Sequence, residues 1–297
     1  MSEKVSVDIV IPFYKDVDEI VSLIESFKLQ KNININRIVL PITLSNDESD
    51  DKIHEYCKNN NITYFDLTSK EFSHSLTREK AIREYCESST VVLLSQDVKL
   101  NKEDSLYQLA RGVASKEFAY TFGRQICPKN SLEKFIRSRN YPEQSKVVSK
   151  EDIDQLQIMA FFSSDAFACL DRDIFIKLNG YNGYDVMMNE DVLYSYFLLQ
   201  AGYKKKYVAE AEVIHFHRLT LKQLYNRYYD TGSFFRKVKL FDQYESLDSG
   251  KKLAKFTLGQ CFKHFYIPGL FRWFPDMLAR YLGLKDGKKG KKEGKKQ

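Results

Sequence analysis

Cysteine is sparse and carries no pattern. The five cysteines, Cys57, Cys86, Cys127, Cys169 and Cys261, form no CxxC pair and are odd in number. That excludes a disulfide framework and a cysteine-based structural zinc site, and it fits a reducing cytoplasm. No window approaches the ~20 apolar residues that a membrane-spanning helix needs. The opening residues Met1 to Lys4 lead into a strand-like run interrupted by Asp8, not into a secretory leader. GxGxxG and GxxxxGK[ST] are both missing, so there is neither a dinucleotide fingerprint nor a P-loop, and no HExxH supports zinc hydrolysis. There is no internal repeat. The formal net charge of +6 belongs mostly to residues 285–297, where seven lysines face only Asp286 and Glu293. The body is therefore close to neutral, which excludes a general nucleic-acid-binding surface.

What is present describes one large soluble α/β domain with an appendage: 297 residues, 43% hydrophobic and 29% charged. Val5 to Ile11, Arg37 to Leu44, Ile62 to Leu67 and Thr90 to Ser95 read as strands. Helical spacing separates them over Asp16 to Leu29, Ile53 to Asn59 and His74 to Cys86, and Ser105 to Ala114 forms the next helix. Alternation of this kind means βαβ units and a mostly parallel sheet. Phe118 to Phe122 reads as a further strand, and Arg124 to Asp152, with Pro128 and Pro142, as a long irregular loop. Short strands are expected at Ala166 to Leu170, Tyr207 to Ala209 and Glu212 to Phe216, with helices at Asp171 to Leu178 and Glu190 to Ala201. From Thr220 onward the period is helical. Phe262 to Leu284, broken by Pro268 and Pro275, mixes aromatics with cations in a way that suits the membrane–water interface.

The chemistry concentrates at strand ends. Val91-Val92-Leu93-Leu94 is a run for a strand buried on both faces, and Ser95-Gln96-Asp97 follows it. Asp97 thus lies at the carboxyl end of a central strand, where open α/β sheets bind ligands and a divalent cation needs a carboxylate. The alternative is that it caps the next helix. After strand one, Tyr14 could stack on a base, and after strand two, Asp47 could accept from a pyrimidine imide or simply cap a loop. Arg78 is expected near a helix N-terminus, suited to a diphosphate. Glu190-Asp191 opens a helix, where a carboxylate can serve as general base or only complement the helix dipole. In His215-Phe216-His217 the strand alternation points the imidazoles opposite ways, so both cannot bind one metal unless the strand breaks there.

These residues fall into a recognisable order. Val7 to Tyr14, Asn46 to Asp51, His74 to Arg78, Ser95-Gln96-Asp97, Tyr120 to Gln125, Ser163-Ser164-Asp165, Gly180-Tyr181, Asn189-Glu190-Asp191, Ala201 to Tyr203, His215 to His217 and Arg227 to Gly232 resemble, in sequence, the motifs of family 2 glycosyltransferases. They look most like the bacterial rhamnosyltransferase branch. The resemblance covers roughly Val5 to Gly232 and implies a GT-A fold and inverting transfer from a nucleotide-diphosphate sugar, dTDP-L-rhamnose being favoured, to a polysaccharide or lipid-linked acceptor. It further implies that Pro12, Tyr14, Asp47, Arg78, Gln96 and Asp97 hold the nucleotide sugar. Asp191 would be the base with Glu190 beside it, and Ser164, Asp165, Tyr181 and Glu190 would meet the acceptor. Asp97 with His215 or His217 would hold Mg²⁺ or Mn²⁺. Gln96 stands where many relatives have a second acid, so metal affinity without nucleotide is expected to be weak.

The domain organisation implied is a GT-A domain over 1–218, a helical and membrane-associating region over 219–284, and a Lys-rich tail over 285–297. The protein is expected to be cytoplasmic and peripheral at the inner face of the cell membrane, with an anionic membrane surface as partner and room for a homo-oligomer. The competing readings are a UDP-hexose or UDP-hexosamine donor, and a non-catalytic sugar-nucleotide-binding scaffold.

Overall fold

The computed structural model describes residues 4–129, 131–244 and 247–290. The order begins β1 (Val5–Val10), α1 (Val17–Ser26), β2 (Ile33–Thr43), α2 (Glu48–Asn59), β3 (Thr63–Leu67), and α3 (His74–Lys80), which widens into a π-turn over Ala81–Tyr85. Next come β4 (Thr90–Leu94), β5 (Lys99–Leu100), α4 (Ser105–Ala114), β6 (Tyr120–Ile126), α5 (Leu132–Asn140), β7 (Lys146–Val148), α6 (Ile153–Leu156) and β8 (Phe167–Asp171). The chain continues with α7 (Arg172–Lys177), α8 (Glu190–Gln200), β9 (Lys205–Ile214), α9 (Leu221–Lys237), α10 (Leu247–Lys263) and α11 (Ile267–Lys289).

The strands build one sheet in the order β3-β2-β1-β4-β8-β6-β9-β5, with β7 on β9. Strands β1 to β4 pair in parallel, as βαβ units require. β8 runs antiparallel between β4 and β6, so the sheet is mixed. β4 is central, and Val91 to Leu94 are all fully buried. Val91 and Leu93 join one core layer, Val92 and Leu94 the other, as the period of two dictates. Asp8 is fully buried inside β1. Its carboxylate accepts from Glu87 N (2.6 Å), Ser88 N (2.8 Å) and Ser88 Oγ (2.8 Å), so it fixes the turn into β4.

Two expectations are corrected. Residues 124–152 are not one irregular loop: β6 extends to Ile126, and α5 follows, capped by Ser131 Oγ accepting from Lys134 N and burying Leu132, Phe135 and Ile136. The two short strands expected around Ala209 are one strand, β9, whose pairing with β6 shifts register between Gly123 and Arg124. A bulge looks like a strand end in sequence because it breaks the alternation. The helices after residue 218 pack onto the sheet domain. Phe234, Val238 and Phe241 belong to the same core layer as Phe161 and Tyr194, and α11 runs on to Lys289. Residues 291–297 of the expected tail lie outside the described residues.

α9 and α11 meet backbone to backbone. A Cβ at Gly283 would sit 2.3 Å from Tyr225 O, and one at Gly287 2.1 Å from Tyr229 O, so only glycine permits this approach.

Candidate active site

A cleft of about 1030 Å³ opens at the carboxyl ends of β1 and β4 and is closed on its far side by α9. Pro12, Tyr14, Gln96, Asp97, Ser164 and Asp191 line it, as do His215 and His217.

The convergence of Asp97 with both histidines follows from pairing. β5 lies antiparallel to β9, with Lys99 opposite Ile214, so the turn carrying Asp97 is folded against the residues just past the end of β9. β9 stops at Ile214, and alternation ends with it. His215 Nε2 and His217 Nε2 lie 3.2 and 3.1 Å from Asp97 Oδ2 and 3.2 Å from each other. The strand break therefore brings both imidazoles to one point, where opposed directions were expected. The three donor atoms lie within 4.8 Å of one another, which fits a single divalent cation. The donor chemistry fits too. His215 Nδ1–H donates to Gln125 Oε1 (2.8 Å), which leaves Nε2 with its lone pair toward the site. Gln125 is itself fixed by Ser164 Oγ, to which its Nε2 donates (2.8 Å), and by Arg137. Burial pushes Asp97 upward, but the adjacent His215 and His217 outweigh it and hold the carboxyl at about 2. Burial pushes His217 downward ahead of the opposing pull of Asp97.

Asp191 stands in the first turn of α8, half-buried in the cleft, with Oδ1 accepting from Val192 N (2.7 Å). Burial, then the charges of Glu190 and Asp165, push its pKa well above the ordinary value. Beside it, Asn189 adopts a left-handed conformation (φ 64°), and its Nδ2 is buried with no partner among the described residues.

Several of the expected site residues are engaged by other side chains of the protein. Arg78 does not sit at a helix N-terminus: Ser73 caps α3, and Arg78 lies in its last turn. It is 2% exposed, and its Nη1 donates to Glu190 Oε1 (2.8 Å). The two form a buried ion pair that ties α3 to α8. Asp165 is 2% exposed and accepts from Tyr120 OH (2.6 Å) and Tyr181 OH (3.0 Å). Tyr181 is fully buried and does not line the cleft. Asp165 itself lines the cleft. Asp47 caps α2 through Ser49 N (3.0 Å) and is not part of the cleft wall; its hydroxyl and backbone bonds hold it at about 2. Gln96 clamps the loop after β1, accepting from Tyr14 N (2.7 Å) and donating to Tyr14 O (3.2 Å). It sets the exposed Tyr14 ring against the cleft.

One residue without an assigned role emerges. Four arginines line the cleft: Arg78, Arg137, Arg227 and Arg280. Three are paired, with Glu190, Glu133 and Asp276 respectively. Arg227, exposed on α9, has no such partner among the described residues, and its charge reaches both His74 and His217. The motif Arg227 to Gly232 was the sequence signal for it, but only the fold shows that α9 closes the cleft.

A mixed sheet with a cleft past the carboxyl end of its central strand, where Asp97, His215, His217 and Asp191 gather, is the GT-A architecture of glycosyltransferases. Residues 8–178, more than half of the chain, match the family model for Glycosyl transferase family 2, and the chain belongs to that family. It is 32% identical over 234 residues to the O-antigen chain rhamnosyltransferase RfbN of Salmonella typhimurium, covering 77% of this chain and 73% of that one. The O-antigen chain rhamnosyltransferase WbaN of Salmonella anatum is 32% identical over 228 residues, 75% of this chain and 71% of that one. Among solved structures, the mannosyltransferase PcManGT from Pyrobaculum calidifontis, in complex with GDP-Man and Mn²⁺, superposes with a TM-score of 0.65 at 12% identity, covering 98% of this chain and 89% of that one. GalNAc-T7 with UDP, GalNAc and Mn²⁺ superposes with a TM-score of 0.58 at 14% identity, over 88% of this chain and 57% of that one.

Proposed function

We propose that the protein transfers L-rhamnose, with inversion, from dTDP-L-rhamnose to a glycan or lipid-linked acceptor in cell-surface polysaccharide synthesis, at the inner face of the cell membrane. The observation that carries this reading is the sharing of one cleft by the Asp97/His215/His217 convergence and Asp191. The names of the two rhamnosyltransferase relatives support the sugar and the product class.

The acceptor hydroxyl attacks the anomeric carbon from the face opposite the diphosphate. A carbon–oxygen bond to the acceptor forms as the bond to the diphosphate oxygen breaks, and the hydroxyl proton passes to Asp191. One displacement inverts the centre, and no enzyme nucleophile is required. The diphosphate departs as an anion, and Arg227 is the side chain placed to meet that charge, the role the sequence pattern had suggested for Arg78. A divalent cation held by Asp97, His215 and His217 would supply further positive charge to the leaving group. Two imidazoles in the donor set favour Mn²⁺ over Mg²⁺, which prefers oxygen ligands and retained water. Tyr14 is the stacking surface for the base.

The test is nucleotide release from a donor panel of dTDP-rhamnose, UDP-glucose, UDP-galactose, the UDP-N-acetylhexosamines and GDP-mannose, with and without Mn²⁺. Expected are turnover with dTDP-rhamnose, its loss on chelation, and its loss in Asp191→Asn. Turnover confined to a UDP sugar would overturn the donor. No turnover with any donor would favour a scaffold.

A further inference from the structure

The last helix is built inside out. Its inward face carries Gly283 and Gly287 against the α9 backbone, together with charged groups bonded to α9: Arg280 Nη1 donates to Tyr228 OH (2.7 Å), and Asp286 Oδ2 accepts from Tyr225 OH (3.0 Å). Its outward face carries Ile267, Phe271, Phe274, Leu278, Tyr281 and Leu282, spaced three and four apart and 37% to 81% exposed. A helix of a water-soluble protein normally shows the reverse arrangement. Eight of the fifteen exposed large apolar side chains among the described residues lie between Phe262 and Leu282. Phe265, at the turn between α10 and α11, is 88% exposed and held at φ 51°, a left-handed conformation that is strained for a bulky residue.

The charge around this face is of one sign. Lys285 and Lys289 continue the stripe at the helix C-terminus, both exposed, and Lys263 stands beyond its other end. The acids of α11, Asp276 and Asp286, are bonded on the inward face. A second copy of this chain would bring lysines and no acids to the contact. An anionic bilayer offers an apolar layer for the rings and negative headgroups for the lysines at once. No helix among the described residues is long and apolar enough to cross a membrane, so the helix would lie in the interface.

We infer that the outward face of α11, with Phe262 and Phe265 at its start, seats the protein on an anionic lipid surface. This rests on the proposed place of action and assigns it to a specific set of side chains, none of which lies in the cleft wall. The experiment is co-sedimentation of the full chain with vesicles of phosphatidylcholine alone and with added phosphatidylglycerol, alongside nucleotide release in solution. Expected is binding to the mixed vesicles that falls at least about tenfold in Phe271→Ser/Phe274→Ser, since two rings leave the interface. Lys285→Glu/Lys289→Glu should fall by a similar factor, about tenfold, but on anionic vesicles only. Circular dichroism melting checks folding, and Phe265→Ser alone serves if the double variant melts early. Binding to neither vesicle, or binding unchanged in the ring variants, would overturn the inference. So would a dimer in sedimentation velocity that Phe271→Ser/Phe274→Ser dissolves in the absence of vesicle binding, which would give the face to a second copy. Nucleotide release separates failure of this surface from failure of the transferase reading: in the ring variants it should persist in solution whether or not vesicle binding is lost, whereas its absence from the unaltered chain would count against the transferase reading alone.

Discussion

Asp191 is a carboxylate under competing influences. Burial and the charges of Glu190 and Asp165 disfavour its ionised form, while the bond from Val192 N and the more distant Arg78 favour it, and the first set wins. A general base must be ionised to accept a proton, so raising its pKa strengthens the base and moves its working range upward. The expected kcat/KM rises with pH through that raised value, about tenfold per unit below it, where an ordinary carboxylate of about 3.9 would give a flat profile near neutrality. Asp191→Asn should lose a factor of about 10² to 10⁴ and the pH limb together; a limb that survives in the variant would assign it to another group. Gln125 acts through His215. Its removal frees the imidazole to change tautomer, so Gln125→Ala should weaken Mn²⁺ binding about 10- to 100-fold, measured by calorimetry with nucleotide present. An unchanged affinity would make Gln125 a packing residue only. The strand-end positions of Asp97 and the histidines were legible because each stands where a strand's apolar run stops. The bonding partners of Arg78, Asp165 and Tyr181 were not, because they lie far away in sequence, and for Asp47 a cap and a ligand look alike. Arg227 was visible as part of a motif, but its lack of a carboxylate partner among the described residues is a property of the packed molecule.

Among the elements, β9 and α11 depart furthest from simple patterning. The rule that strand residues alternate failed at His215 because the strand ends one residue earlier, and the two-residue strand β5 that ends it is too short to signal itself. The parallel β1-to-β4 half was legible throughout, since each strand is a short apolar run and each helix an amphipathic one. In α11, Pro275 looked like a break, yet the helix passes through it. The neighbouring α10 and α9 support it, through Trp273 Nε1 donating to Ala254 O (3.1 Å) and through Arg280 and Asp286. The glycine contacts give the element-scale prediction. Gly287→Ala places a methyl 2.1 Å from Tyr229 O, and neither partner is a flexible side chain. The helices must separate, at about 1–3 kcal/mol. The expected outcome is a lowered Tm together with a raised donor KM, because α9 carries Arg227 into the cleft. A lowered Tm with an unchanged KM would show that α9 is held in place without α11.

At the scale of the molecule, the cleft has two walls of different origin. One is the carboxyl edge of the sheet, and the other is α9, which contributes Leu224, Arg227, Tyr228, Asp230 and Thr231 to the lining. The helix that supplies that wall is anchored from both sides, by α11 and by its own C-terminal continuation into the core. Phe241 packs on Phe161 (ring centroids 5.6 Å apart) and on Tyr196 (5.4 Å), and Phe161 is fully buried. Composition drew a boundary near residue 218 because the strand pattern stops there, but a change of secondary structure is not a change of core. If the boundary were real, a chain ending at Arg218 would fold alone and bind the donor through the sheet edge. The packing predicts otherwise. Such a fragment exposes Phe161 and Tyr196, loses Arg227, and should bind a hydrophobic dye, unfold without a sharp transition and show no Tm shift with dTDP-rhamnose and Mn²⁺. A monomeric fragment with a cooperative transition that still responds to the nucleotide sugar would place the whole site within the first 218 residues and reduce α9 to a cover.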